Sequence, residues 1–331
     1  MNPVALAFDL GGTELRAALV ADGGTVLAFA SVPTLAKDGP DAVLDQISML
    51  AGKIHNAVPH LRPVGVGIGA PGPLDPVAGI LTAPPTLSGW HEVPLARILE
   101  ERFNLPVRLE NDANAAALGE WRFGAGRGAA SLVFVTVSTG IGGGVISDGR
   151  IFHGRRGLAG EIGHMTIASE SERCFCGAIG CFEAVASGTV LGRRATKLTR
   201  HGDGSVMRML SANGDVTGRH VVEAARDGDA AALALIAEEA RWLGIGFTNL
   251  LHLYSPDMIV MGGGVSNGYD LLHNGIAATV RERAMSAYRD VPVVKAKLGQ
   301  QAGLIGAASL ILCEPNLLDG VLSATKETSD G

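Results

Sequence analysis

The order of apolar segments in the first part of the chain constrains the fold more than any single motif does. Residues 3–10 (PVALAFDL) have the composition of a buried strand, and residues 16–22 turn at Asp22-Gly23-Gly24 into a third strand, TVLAFASV, a pattern typical of an antiparallel meander. The elements predicted next are a helix from Pro40, a strand at 64–70, a helix at 94–103 and a strand at 106–111. The sequence therefore predicts the order βββαβαβ.

This order is that of the ribonuclease-H-like module, and a similar series begins again after residue 130. The second series comprises a strand at 131–138, a hairpin into GRIFHG, helices near 187–200, 229–253 and 270–285, and a strand at 257–262. We expect an α/β protein with a two-lobed, actin-like or hexokinase-type fold and a cleft between the lobes. The predicted domains are a small lobe at 1–115 with a helix at about 303–315 packing back on it, a large lobe at 116–302, and a flexible tail at 319–331.

Composition and charge exclude several classes of protein. Hydrophobic residues make up 47% of the 331 residues, which indicates buried cores rather than disorder. The net charge is −6 and basic residues do not cluster, so a nucleic-acid partner is not expected. No apolar run reaches the length of about 18–20 residues that a membrane span needs, and MNPVALAFDL lacks the charged start of a signal peptide. We therefore expect a cytoplasmic protein with no membrane partner.

Glycine-rich turns follow several of the predicted strands. Glycine accounts for 46 of the 331 residues, about twice its average usage. The first turn is Asp9-Leu10-Gly11-Gly12-Thr13, in which the glycine amides can approach an anion, Thr13 adds a hydroxyl and Asp9 can hold Mg²⁺ through water. A glycine-rich β-turn with a capping aspartate explains the same residues, and on this motif alone both interpretations stay open.

Two further glycine-rich turns strengthen the phosphate interpretation. Ser138-Thr139-Gly140 opens a run that ends at Gly144, and Gly262-Gly263-Gly264 follows the strand predicted at 257–262. None of the three turns matches the Walker pattern or the Rossmann pattern. Strand-to-glycine turns that face each other across a cleft are suited to hold a nucleoside triphosphate between two lobes.

Asn111 and Asp112 stand at a predicted strand-to-helix junction, in the run LENDANAAALG. One interpretation is helix capping, in which either side chain accepts a hydrogen bond from a first-turn amide. The other is catalytic, because α/β folds gather ligands at the carboxyl ends of their strands, where a carboxylate can accept a hydroxyl proton. On local sequence alone both interpretations stay open.

Three of the four cysteines lie close together and follow a histidine. His164, Cys174, Cys176 and Cys181 give the spacing H-x9-C-x-C-x4-C, whose four nitrogen and sulfur donors are suited to a closed, structural Zn²⁺ site. The alternative is three buried reduced thiols beside a core histidine. Cys313, in the apolar run LIGAASLILC, is interpreted as a small buried hydrophobic residue.

Taken together, these motifs resemble the ROK family (repressor, open reading frame, kinase), over residues 4 to about 312. The segments that carry the resemblance are DLGGTELR, GAPGPLD, LENDANAAALGEW, VSTGIGGG, AGEIGH, CFCGAIGCFE and IVMGGG. The resemblance implies a phosphotransferase that uses ATP with Mg²⁺ to phosphorylate a hexose, with glucose as the preferred substrate. It also implies a structural Zn²⁺ and a homodimer or homotetramer.

The resemblance assigns roles to individual residues of this sequence. It implies that Asp112 is the general base and that the sugar hydroxyls are held by Asn111, Glu161, His164 and Glu183, with His164 also on the zinc. One departure lies in the loop PPTLSGW, where Thr86 replaces the asparagine of the family's loop, so the resemblance does not carry the sugar contact of that asparagine over to this chain.

Two alternatives to a glucose kinase follow from the same resemblance. A kinase for N-acetylmannosamine or N-acetylglucosamine uses nearly the same sugar-binding residues. A sugar-responsive transcriptional repressor of the family carries a helix-turn-helix domain before the kinase-like body. Since DLGGT begins at Asp9 and the charge is acidic, the sequence favours the enzyme over the repressor.

Overall fold

The computed structural model of the chain describes residues 3–170, 172–202, 205–212 and 214–312. The predicted tail at 319–331, Cys313 and the end of the helix predicted at 303–315 lie outside these residues. The described residues form two compact units. The first contains the residues up to Ala130, Gly144–Gly160 and those from Gln300, and the second contains Ser131–Gly143 and Glu161–Gly299. The lobe limits at 1–115 and 116–302 stay a prediction.

The longer strands and helices that the sequence predicted are present in the described chain. The strands are β1 (Val4–Leu10), β2 (Glu14–Ala21), β3 (Val26–Pro33), β4 (Val66–Ala70), β5 (Leu74–Asp75), β6 (Ile80–Leu81), β7 (Val107–Asn111), β8 (Leu132–Val137), β9 (Ile141–Ser147), β10 (Arg150–Ile151), β11 (Met258–Gly262) and β12 (Val293–Lys295). The helices are α1 (Pro40–Ala57), α2 (Leu95–Phe103), α3 (Asp112–Phe123), α4 (Phe182–Ala186), α5 (Gly188–Arg200), α6 (Ser205–Leu210), α7 (Gly218–Arg226), α8 (Ala230–Tyr254), α9 (Tyr269–Arg283) and α10 (Ala302–Leu312).

The first unit is built on a sheet with the strand order β3-β2-β1-β4-β7. The strands β1, β2 and β3 form the predicted antiparallel meander, whereas β4 and β7 run parallel to β1. Apolar side chains of β1 and β4 form a core with those of α1. Phe8, Ile68 and Ile47 of this core are fully buried. The parallel part of the sheet places the carboxyl ends of β1, β4 and β7 at the same edge.

Helix α10 packs closely against this sheet and against α3. A side chain at Gly67 of β4 would overlap with the backbone carbonyl of Ala307, and one at Gly306 would overlap with the carbonyl of Ala115. Glycine is therefore required on both elements, because a Cβ atom would push α10 away from its neighbours. The position of α3, which begins at Asp112, is fixed from this side.

The second sheet has the strand order β10-β9-β8-β11-β12, in which β8, β11 and β12 are parallel and β9 and β10 are antiparallel. Residues Ile141–Gly143 at the start of β9 belong to the second unit, and the rest of that hairpin belongs to the first. Helix α8 packs on α5, α7 and α9, and its Phe247 meets Phe182 edge to face with ring centroids 6.2 Å apart. The glycine-rich turns after β8 and β11 lie side by side, since Gly262 pairs with Thr136 in the parallel register.

The sequence did not predict several short elements. These are β5, β6, β12, α4, α6 and α7. Strands of two or three residues carry no periodicity, and α7 begins at a glycine, which favours helix poorly. Within the described ranges, none of the helices combines the length and the apolar character that a membrane span requires.

Candidate functional site

The junction between β7 and α3 carries Asn111 and Asp112. Asn111 is the N-cap of α3, since its Oδ1 accepts hydrogen bonds from the backbone N–H of Ala113 at 2.9 Å and of Asn114 at 3.2 Å. Such a cap stabilises a helix by about 1 kcal/mol. Asp112 is the first helical residue, and its Oδ1 accepts a hydrogen bond from the Ala113 N–H at 2.7 Å. The carboxylate of Asp112 thus lies where the helix dipole favours negative charge.

The turn after β1 contains Gly11, Gly12 and Thr13. The N–H of Gly11 donates to the carbonyl of Glu14 at 3.0 Å, so this amide is engaged inside the turn. A Cβ atom on Gly12 would lie 2.7 Å from the Cβ of Thr86, which places the loop with the family departure against the turn. Phosphate binding by Gly11, Gly12 and Thr13 stays a prediction.

Asp9 lies at the end of β1, opposite Arg16 of β2 in the antiparallel register. A nitrogen of the Arg16 guanidinium, Nη1, is 3.6 Å from the Asp9 Oδ2. Burial raises the pKa of the Asp9 carboxyl, and the charge of Arg16 offsets this only in part. Mg²⁺ bound to substrate phosphates needs only one or two protein carboxylates and keeps several waters, so Asp9 fits that role.

Glu183 connects the motif after the cysteines with the turn after β8. Its Oε2 accepts a hydrogen bond from the backbone N–H of Ile141 at 2.9 Å. A Cβ atom on Gly140 would overlap with this same oxygen. The position of the Glu183 carboxylate therefore requires glycine at residue 140. The sequence pattern did not reveal this reason for the glycine.

His164 presents its two ring nitrogens to different neighbours. Its Nδ1 lies 3.6 Å from the Sγ of Cys174, and its Nε2 lies 3.9 Å from the Oε2 of Glu161. An imidazole that ligates a metal through one nitrogen keeps an N–H on the other. This geometry is compatible with the two roles that the resemblance gave to His164.

The four predicted metal ligands lie together in the second unit. The Nδ1 of His164 and the Sγ atoms of Cys174, Cys176 and Cys181 form a group whose ligand atoms all lie within 4.8 Å of one another. The Sγ atoms of Cys176 and Cys181 are 3.6 Å apart. A tetrahedral Zn²⁺ with Zn–S bonds of about 2.3 Å requires sulfur atoms about 3.8 Å apart. The donor set and its spacing therefore fit a structural zinc.

The thiols of this cluster lie in a partly apolar environment. Cys174 and Cys181 are buried, whereas Cys176 is exposed. Burial raises the pKa of the Cys181 thiol to about 12. Because thiolates are the metal ligands, the binding of a cation here would have to displace protons from the buried sulfurs.

A cavity of about 1040 Å³ lies in the second unit beside the turns after β8 and β11. Ser138, Thr139 and Gly264 line it at the strand ends. Gly262 and Gly263 pack instead against β8, where a Cβ atom on Gly263 would overlap with the Val137 carbonyl. Of the predicted phosphate-binding residues, Thr139 and Gly264 are thus the two that line the cavity.

Two helices begin at the wall of this cavity. Helix α5 is capped by Ser187, and the N–H of its first residue, Gly188, donates to the carbonyl of Ser138 at 2.8 Å. Helix α7 is capped by Thr217 in a capping box with His220. Helix N-termini are partly positive and bind phosphate groups well. The cavity therefore combines two helix starts with two strand-end turns.

The rim of the cavity carries several arginines that are paired with carboxylates. The pairs are Arg193 with Glu172 at 2.6 Å, Arg200 with Asp215 at 3.0 Å, Arg219 with Glu223 at 2.8 Å and Arg226 with Asp270 at 2.9 Å. Exposed pairs of this kind contribute little to stability because solvent screens them, so a polyanion can exchange with these carboxylates at little cost. The sequence did not predict this wall, because the capping box of α7 has His220 where the usual pattern has glutamate or glutamine.

Comparisons with known proteins show which family this chain resembles along its length. The sequence profile of the ROK family matches residues 5–314. The glucokinase of Halalkalibacterium halodurans is 36% identical over 319 residues, which cover 94% of this chain and 96% of that protein. A solved ROK family glucokinase from Streptomyces griseus in complex with glucose and AMPPNP has a TM-score of 0.82 at 35% identity and covers 93% of this chain and 98% of that one. The ROK hexokinase of Thermus thermophilus has a TM-score of 0.75 at 37% identity, with 93% and 97% of the two chains covered.

These likenesses confirm the fold class predicted from the sequence, an α/β fold of the actin-like, hexokinase type. They extend over nearly the whole chain rather than over one motif. The motifs quoted above and the family profile agree on the same residues, and the chain belongs to the ROK family.

Proposed function

We propose that this chain transfers the γ-phosphoryl group of ATP to a hydroxyl of glucose, with Asp112 as the general base and a structural zinc ordering the sugar-binding side chains. The observation that carries the proposal is the position of Glu183. Its carboxylate contacts the turn after β8 through the Ile141 N–H at 2.9 Å, and its Oε1 lies 3.8 Å from the Cys174 sulfur. A predicted sugar ligand thus links a predicted phosphate turn with the Cys/His cluster.

The nucleotide would bind in the cavity of the second unit. The start of α7 at Gly218 and the hydroxyls of Ser138 and Thr139 supply donors for phosphate oxygens. Helix α5, whose Gly188 N–H is used by the Ser138 carbonyl, contributes the positive end of its dipole. The volume of about 1040 Å³ is ample for a nucleoside triphosphate. Asp9 would hold Mg²⁺ through water, and the ion would supply positive charge to neutralise the transferring phosphoryl group.

The acceptor side of the reaction rests on the β7–α3 junction. The carboxylate of Asp112 accepts the proton of the sugar hydroxyl while the oxygen of that hydroxyl attacks the γ-phosphorus of ATP. The bond between this phosphorus and the bridging oxygen breaks, and ADP leaves. The Oδ1 of Asn111 is used by the helix cap, so its Nδ2 amide group is the part that faces a sugar oxygen. The carboxylates of Glu161 and Glu183 and the Nε2–H of His164 complete the predicted sugar contacts.

The zinc would be held by His164, Cys174, Cys176 and Cys181. It supplies no reaction step, because all four positions around it are protein ligands. Its effect is to fix the tautomer and orientation of the His164 ring. Loss of the zinc therefore acts on sugar binding and on stability.

The sugar assignment is tested by measuring ADP release with ATP over a panel of glucose, mannose, N-acetylglucosamine and N-acetylmannosamine. We expect glucose to give the highest kcat/KM, at least about 10-fold above the N-acetylhexosamines, a difference of about 1.4 kcal/mol. Comparable turnover of an N-acetylhexosamine would assign the chain to that substrate instead. Replacing ATP by polyphosphate in the same assay defines the donor.

The glycine of the turn after β8 gives a separate test of the Glu183 assignment. We expect Gly140→Ala to weaken glucose binding by about 10-fold or more, because the added Cβ overlaps with the Glu183 Oε2. The matched control is Gly52→Ala, at an exposed position of α1 where a Cβ atom meets nothing within 4 Å. Titration calorimetry with glucose and with an ATP analogue separates the two ligands. A loss confined to nucleotide affinity would show that Gly140 serves the phosphate and not Glu183.

A homodimer or homotetramer, a cytoplasmic location and the absence of a nucleic-acid partner belong to the same proposal. They rest on the resemblance and on the acidic charge of −6.

A further inference from the structure

A buried carboxylate precedes the proposed catalytic pair. The side chain of Glu110, the last but one residue of β7, is 3% exposed. Its Oε1 accepts hydrogen bonds from the backbone N–H of Asn111 at 2.9 Å and from the Nδ2 of Asn114 at 3.0 Å. Its Oε2 lies 2.6 Å from the Nε2 of His153. The mechanism described above uses neither Glu110 nor His153.

The partner histidine comes from a different part of the first unit. His153 follows β10, and its side chain is 11% exposed. Burial by itself would lower the pKa of the His153 imidazole, but the hydrogen bond and the charge of Glu110 outweigh burial and raise it. Glu110 therefore favours the protonated form of the His153 ring, in which the two side chains form a buried ion pair.

This pair is poorly explained as a device for stability alone. A buried ion pair loses hydration on both sides, and a well-packed apolar pair is often as stable or more so. What distinguishes Glu110 is the choice of its other partners. It binds Asn111, which precedes Asp112, and Asn114, which follows it by two residues. One carboxylate therefore restrains the chain on both sides of Asp112.

We propose that Glu110 and His153 are positioning residues for Asp112, which hold the β7–α3 junction so that the Asp112 carboxylate keeps one orientation toward the sugar hydroxyl. The proposal rests on the proposed role of Asp112 as the base. His153 fixes the rotamer of Glu110 through Oε2, and Glu110 then fixes Asn111 and Asn114 through Oε1. A displacement of a catalytic group by about 1 Å can lower a rate about 100-fold, so a lost restraint is expected to appear in kcat.

The test compares His153→Leu, His153→Gln and Glu110→Gln with the wild type. Leucine removes the donor to Glu110, whereas glutamine at position 153 keeps an N–H donor without the charge. We expect His153→Leu to lower kcat by about 10- to 100-fold while the dissociation constant for glucose changes by less than about 3-fold. The variants His153→Gln and Glu110→Gln should each keep a kcat much closer to that of the wild type than His153→Leu does. The control is His60→Gln, an exposed histidine in the first unit.

The pH dependence supplies a readout of the charge. A histidine whose pKa is raised by folding contributes stability that is fully present below its unfolded pKa of about 6.5 and is lost as the pH rises through the folded value. We therefore expect the difference in melting temperature between the wild type and His153→Gln to be largest near pH 6 and to shrink toward pH 9.

Two outcomes would overturn the proposal. One is a His153→Leu variant with wild-type kcat; the other is a variant in which glucose affinity, nucleotide affinity and melting temperature fall together with kcat, as for general unfolding. Failure of the proposed function is recognised separately. If Asp112 is not the base, Asp112→Asn keeps its turnover, independent of the kcat that the His153 variants show. If His153→Leu does not fold, His153→Ala, which also lacks a donor to Glu110, replaces it, and a wild-type kcat in that variant would equally overturn the proposal.

Discussion

Replacing Asp112 by asparagine should lower the turnover of glucose by about 10²- to 10⁴-fold, the range that a general base contributes. Asparagine has nearly the same shape and keeps an oxygen for the Ala113 N–H, which Asp112 Oδ1 accepts at 2.7 Å. It cannot accept the hydroxyl proton. The dissociation constant for glucose, measured by calorimetry, should stay within about 3-fold of the wild type, since the loss is confined to the transition state.

The matched control for this prediction is Asp41→Asn. Asp41 is an exposed aspartate in the first turn of α1, so it reports the loss of a favourable charge at a helix N-terminus, worth about 0.3–1 kcal/mol. Turnover of that variant should be unchanged. If Asp112→Asn retained more than about a tenth of the wild-type kcat, the proposed base would have to be abandoned.

The second large effect is expected at the Cys/His cluster. Cys176→Ser removes one of four ligand atoms that lie within 4.8 Å of one another. We expect the purified wild type to contain about one zinc per chain by elemental analysis, and the variant to contain much less. We also expect its melting temperature to fall by on the order of 5–10 °C and its glucose affinity to fall, because His164 loses its fixed orientation.

The control and the decisive measurement for the cluster are simple. Glu170→Gln changes an exposed residue of the same segment that is outside the ligand set, and it should keep both zinc and affinity. Wild-type protein without zinc, or a Cys176→Ser variant with full zinc content, would show that the three thiols are not metal ligands.

Local signals explain why much of the fold could be predicted from the sequence. The apolar strand segments and the turn at Asp22-Gly23-Gly24 specify the meander of β1 to β3. Pro40 starts α1 at the predicted residue, and its buried side chains follow the predicted helical spacing. The spacing of His164 and the three cysteines is also local, and the structure brings those four side chains together.

Other features depend on contacts between distant residues, which no local pattern reveals. Glu110 and His153 are 43 residues apart in the sequence. Glu110 stands in the motif LENDANAAALGEW, but nothing in that motif indicates its partner, and His153 lies in none of the quoted motifs. Helix α7 forms part of the wall of the cavity and begins at Gly218. Glycine favours helix poorly, so the start of this helix is hard to predict from the sequence.

The glycine-rich turns show a different limit. A glycine that admits a phosphate and a glycine that admits a neighbouring side chain look identical in sequence. In the structure, Gly140 makes room for the Glu183 carboxylate and Gly263 makes room for the Val137 carbonyl. The turns are therefore shaped by the packing around them as well as by any ligand.

The close packing of α10 has a consequence for the order in which the chain folds. This helix covers β1 and β4 but lies some 230 residues or more after them, and nearly all of the second unit is encoded in between. During synthesis, the apolar surface of β1 and β4 emerges first and stays uncovered until residues 302–312 have left the ribosome. Such distant contacts slow folding, so the nascent first unit is the part of the chain most in need of chaperone protection.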